Sequence, residues 1–100
     1  MSKKSVDLKA MLAAAQPETK LGLIENAIDL YIRTTLEIQN DSTLDHNSPF
    51  TELGMDSISA VKIRQLLNDS LGGAVEIKST DIFDHSTVTK LAEHILKQMK

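Results

Sequence analysis

The chain has 100 residues, of which 41% are apolar, so it holds one small core and no more. Its net charge of −3, with no dense Lys/Arg cluster, speaks against a DNA- or RNA-binding surface. Cysteine is absent, which excludes disulfides, cysteine metal sites and a thiol nucleophile. The only aromatic residues are Tyr31, Phe50 and Phe83, so the core must be mostly aliphatic. Four glycines and two prolines punctuate the chain sparsely, which predicts long helices. No apolar run approaches the ~18 residues of a membrane span, and the N-terminus lacks a signal-peptide core. The expectation is a cytoplasmic domain.

In chain order, residues 1–16 read as a flexible flank or linker. Leu8, Met11, Leu12 and Ala15 recur at helical spacing, but only a weak helix could come of them. Pro17 suits the first turn of a helix, and Glu18 suits its positive end. Leu21, Ile24, Ala27, Ile28, Tyr31 and Leu36 then keep helical spacing, predicting a helix over about residues 17–39.

"NDSTLDHNSP" breaks the pattern with residues that bond their own backbone or fix φ, so a long loop follows. Leu44, Phe50 and Leu53 should pin it to the core. Asp41, Asp45 and His46 cluster within it, but without Ca²⁺-loop spacing, and read as a solvated polar loop. A second long helix is expected from Ser57 to Leu71, ended by Gly72-Gly73. Val75 and Ile77 alternate like a strand yet have no partner strand, so a loop is expected, then a short helix around Thr80–Phe83. Val88, Leu91, Ala92, Ile95, Leu96 and Met99 form the stripe of a last helix, capped by Ser86 or Thr87. The fold class is all-α: a small four-helix bundle of three main helices and one short helix, with a long first loop.

On the second helix, Ala60, Ile63, Leu66, Leu67 and Leu71 share the core side. Ile58 and Val61 fall opposite, near Ser57, Lys62, Gln65 and Asp69. With Met55 they form a candidate docking surface, unless the loop folds over Met55 and Val61. Asp56 and Ser57 are both good helix caps, and a cap is the plainer reading of that pair. A helix N-terminus also favours a bound anion, such as a phosphate esterified to Ser57. A nucleophilic role for Ser57 is disfavoured. "GMDSI" lacks the second glycine of a nucleophile elbow. His46 lies in the long loop, His85 reads as a loop or cap residue and His94 as solvent-facing, so no base is placed beside it.

"FTELGMDSISAVKIRQLL" resembles the phosphopantetheine-attachment motif of acyl carrier proteins, and "STDIFDHSTVTKLAEHI" resembles the end of such domains. Gly54, Asp56 and Ser57 match the motif core, and the similarity covers residues 17–99. The resemblance implies that Ser57 takes 4′-phosphopantetheine from coenzyme A through a phosphopantetheinyl transferase, with Asp56 engaging that transferase and its metal. It implies that acyl groups ride as thioesters on the arm and that the domain itself has no catalytic residue, while the residues themselves offer no metal-ligand set. Met55, Ile58, Val61 and Lys62 would face partners such as a ketosynthase and an acyltransferase, with the isolated domain a monomer. "GMDS" is most like the carriers of modular polyketide synthases. A peptidyl carrier or a fatty acid carrier is the alternative within the class. A helical interaction module without a prosthetic group is the alternative outside it.

Overall fold

The computed structural model describes residues 8–38, 44–72 and 75–99. In chain order it contains α1 (Leu8–Ala14), α2 (Pro17–Leu36), a 3-10 turn (Phe50–Leu53), α3 (Ser57–Leu71), α4 (Ser79–Asp84) and α5 (Val88–Gln98). Among the described residues there is no strand, so the chain is all-α as the periodicity predicts. α2 is the central element, packed against both α3 and α5, while α4 lies on α3.

Each helix end has a local cause. Pro17 opens α2, where its missing N–H costs no bond. α2 stops at Leu36, short of the expected 39, because Glu37 turns into the left-handed region at φ 58°. That turn sends Ile38 back so that its N–H bonds Arg33 O at 3.0 Å and its side chain packs on the core. α3 ends at Gly72, which takes φ 58° without a Cβ penalty. Of the two candidate caps for α5, Thr87 does the work: its Oγ1 accepts from Lys90 N–H at 3.1 Å.

The core is aliphatic around one buried tyrosine. Ile24, Ile28, Tyr31 and Ile32 of α2 meet Ile63 and Leu67 of α3, and Leu91 and Ile95 of α5 close the other side. Ala60 and Leu71 are buried with the rest of the predicted α3 face, while Leu66 is only half-buried.

The flank is where the structure departs from the sequence reading. Residues 8–14 are helical, α1 rests on α2 and α3, and Leu12 is 1% exposed within the core. A seven-residue helix is too short to hold itself in water, so docking through Leu12 is what stabilises it.

The two loops are pinned in different ways. Phe50 is buried, Leu44 and Leu53 pack against the core, and Phe50 N–H donates to Ser86 O at 2.7 Å. After α3, Val75 and Ile77 are both buried without forming a strand. Asn68 substitutes for a partner strand: its Oδ1 accepts from Ile77 N–H at 2.7 Å, and its Nδ2 donates to Ile77 O at 3.0 Å. Both backbone groups of a buried residue are thereby satisfied by one side chain.

Candidate functional site

The site is the junction where the long loop becomes α3. The 3-10 turn ends on Gly54 at φ 94°, a backbone that side chains with a Cβ rarely adopt. This turn directs Met55 inward, and its N–H donates to Phe50 O at 3.2 Å. Asp56 then adopts an extended conformation and becomes the N-cap of α3, with Oδ1 accepting from Ser59 N–H at 2.8 Å. The Ser59 backbone N–H, and then its hydroxyl, hold the exposed Asp56 carboxyl below its usual pKa.

Since Asp56 caps the helix, Ser57 is released from that duty. It is the first residue of α3, it is exposed, and among the described residues no hydrogen bond engages its hydroxyl. The hydroxyl sits at the positive end of a 15-residue helix, whose dipole favours the negative charge of a phosphate ester. The plainer reading of the pair thus holds for Asp56 alone.

The neighbouring apolar residues divide. Ile58 is 69% exposed and Val61 37%, so the outer face of α3 does carry two apolar side chains one turn apart. Met55 is 6% exposed and belongs to the core. Its assignment to the partner surface is corrected: after the Gly54 turn it packs into the core instead of facing outward. Lys62 is exposed and opens onto a groove of ≈ 390 Å³ between the end of α2 and the outer side of α3. Thr35 and Glu37 line one wall, and Gln65 and Asp69 line the other. A helical wheel of α3 could not find this groove, because half of it comes from α2. Arg64, read as a solvated cation, is half-buried, and its Nε is shut off from water.

The histidines are engaged elsewhere. His85 and His94 stack with ring centroids 4.1 Å apart. His94 was expected to face solvent, but it is half-buried, with Nε2 3.6 Å from Asp81 of α4 and 2.6 Å from Gln98 Nε2. His46 was expected in a solvated loop. Its ring instead lies between Glu25 and Asp29 of α2, at 3.2 and 2.7 Å. Of the acidic residues grouped with it, Asp45 accepts from Asn47 N–H, and Asp41 lies outside the described residues. Among the described residues no cluster of His, Asp and Glu is arranged to hold a metal ion, and no helix is long and apolar enough to cross a membrane.

Residues 26–95 match the family described as "Phosphopantetheine attachment site". The chain is 31% identical over 93 residues to Pikromycin polyketide synthase component PikAII of Streptomyces venezuelae, covering 93% of this chain and 2% of that protein. It is 36% identical over 69 residues to Erythronolide synthase EryA3 of Saccharopolyspora erythraea, covering 69% of this chain and again 2% of the relative. The chain thus spans a small fraction of the curated relatives that it matches. Among solved structures, the A1-type ACP domain from module 5 of MLSA1 superposes with a TM-score of 0.80 at 29% identity, covering 94% of this chain and 92% of that one. An all-α fold, a matched stretch that contains the Asp56-Ser57 junction, polyketide synthase relatives in sequence and an ACP-domain neighbour in structure agree: the chain belongs to the phosphopantetheine-attachment family, whose members carry 4′-phosphopantetheine covalently.

Proposed function

We propose that the chain is an acyl carrier domain of a modular polyketide synthase, and that Ser57 is its attachment residue. The observation that carries this reading is the division of labour at the head of α3. Asp56 holds the cap through Ser59, which leaves the exposed Ser57 hydroxyl without a structural task. The residues present fit an esterified phosphate: Ser57 opens to solvent at the positive end of α3, where the helix dipole acts against repulsion from the neighbouring Asp56 carboxylate. When attached, the arm supplies a thiol for thioester formation, in a chain with no cysteine of its own.

The remaining roles belong to this chain's own side chains. Asp56 stays ionised because its hydrogen bonds favour the carboxylate, which suits it to engage a transferase and that enzyme's metal. Ile58, Val61 and Lys62 form the contact surface for partners, a phosphopantetheinyl transferase first and then ketosynthase and acyltransferase domains. The chain presents groups to those enzymes and has no catalytic residue. Residues 17–99 make up the carrier domain, with α1 docked on it as an added helix. The isolated domain is a cytoplasmic monomer. The Gly54-Met55 pair and the polyketide synthase relatives together favour this subtype over a peptidyl carrier.

The test is intact mass before and after incubation with coenzyme A, Mg²⁺ and a broad-specificity phosphopantetheinyl transferase. Wild type should gain one phosphopantetheine and Ser57→Ala none, with the variant's stability within ~0.5 kcal/mol of wild type as for other exposed sites. A folded wild type that gains nothing, beside a carrier that does, would make this a helical interaction module without a prosthetic group.

A further inference from the structure

His46 is the part of the long loop that grips α2. Its Nδ1 lies 3.2 Å from Glu25 Oε1 and its Nε2 lies 2.7 Å from Asp29 Oδ2, across 21 and 17 residues of sequence. Both contacts are part-buried, with about a quarter or less of each side chain exposed. A neutral imidazole has one N–H and one lone pair. In that form one of the two contacts would set a lone pair against a carboxylate oxygen. Only the imidazolium donates at both nitrogens. The geometry is therefore that of a charged ring held between two carboxylates.

The groups around the ring can be accounted for element by element. From α2 come Glu25 and Asp29, and Asp29 also pairs with Arg33 one turn on. Within the loop, Asp45 is turned to Asn47 N–H. From α5 the contact is backbone: Thr89 N–H donates to His46 O at 3.2 Å. His46 thus joins the loop to α2 through its side chain and to α5 through its carbonyl. The same loop continues through Phe50 and Met55 to the head of α3.

We propose that His46 is a proton-dependent clasp, which holds the first loop to α2 as imidazolium and releases it on losing one proton. Burial of the ring works against its charge, but the hydrogen bonds to Asp29 and Glu25, and then the charges of both, outweigh it and raise the pKa above the usual 6.5. A raised histidine stabilises the clasped loop fully below about 6.5, the pKa of the released ring. The contribution falls as pH rises through the clasped value. Between the two values the closing equilibrium weakens by up to about tenfold per pH unit, and outside them it is flat.

The experiment is an NMR titration of the full chain from pH 5 to 9. It follows the His46 ring together with amide exchange of residues 44–50, each rate divided by its intrinsic rate at that pH. The His46 midpoint should lie above 6.5, and loop protection should fall with that same midpoint. Asp29→Asn should lower the midpoint, and His46→Lys, which keeps a positive charge throughout the range, should abolish the pH dependence of protection. A His46 midpoint at or below 6.5, or loop protection that ignores the midpoint, would overturn the clasp. So would an unchanged pH profile in His46→Lys. If that variant fails to fold, the wild-type titration and Asp29→Asn decide the matter on their own.

Discussion

Met55 and Ile58 stand three residues apart and share one surface in the sequence reading, yet the fold buries the first and exposes the second. Alanine at each position separates the two. Met55 is 6% exposed, and truncating a buried methionine costs roughly 2–5 kcal/mol. Ile58 is 69% exposed, so only about a third of its transfer energy is at stake. That is roughly 0.7 kcal/mol, and the better helix propensity of alanine offsets about 0.4 kcal/mol of it. Ile58→Ala should therefore unfold within ~0.5 kcal/mol of wild type. In urea titrations followed by helical circular dichroism, Met55→Ala should show a clear loss of midpoint and Ile58→Ala almost none. In a domain of this size the methionine variant should melt about 10 °C lower or more. Transferase or ketosynthase kinetics should reverse the order, with Ile58→Ala impaired and Met55→Ala near normal below its melting temperature. Equal destabilisation by the two variants would refute the assignment of Ile58 to an outer surface. Normal partner kinetics in Ile58→Ala would refute its role in contact.

Other expectations follow from single features. Asn68→Ala should cost roughly 2–4 kcal/mol, because both the N–H and the C=O of buried Ile77 lose their partner; chemical denaturation measures it, and a loss below ~1 kcal/mol would mean the loop re-pairs itself. Leu12→Ala should cost about 2–3 kcal/mol and raise amide exchange selectively in α1, whose docking rests on that side chain. Gly54→Ala meets no atom within 4 Å, so its cost of about 1–2 kcal/mol comes only from the backbone at φ 94°; a stability equal to wild type would show that the turn relaxes to another conformation. Asp56, with a depressed pKa, supports the fold above the unfolded carboxylate value near 3.8 and loses that support as pH falls through its lower folded value. Asp56→Asn should flatten this acid limb without moving the melting temperature at neutral pH by much, and a matching limb in the variant would assign it to other carboxylates.

The helices themselves were legible because their signals are local. Asp56 before the apolar stripe and Gly72 after it mark α3 at both ends, and the observed helix runs from Ser57 to Leu71. A cap, a stripe of period 3.6 and a glycine that tolerates a left-handed turn are all encoded within a few residues of where they act. The motif around Ser57 was legible for the same reason.

Tertiary structure decided whatever depends on residues distant in sequence. Leu12 became a core residue only because α2 and α3 offered it a place, so a segment that reads as a linker folds. Val75 and Ile77 could be buried without a second strand because Asn68 was at hand to bond Ile77. His46 reads as one more polar loop residue until α2 brings two carboxylates to its ring. Met55 looked like the neighbour of Ile58, but a single turn at Gly54 sends it inward. A helical wheel records direction within one helix and nothing of what the next element covers. Local propensity, in short, set where the helices start and stop, whereas burial, charge pairing and the exposed surface came from packing between elements.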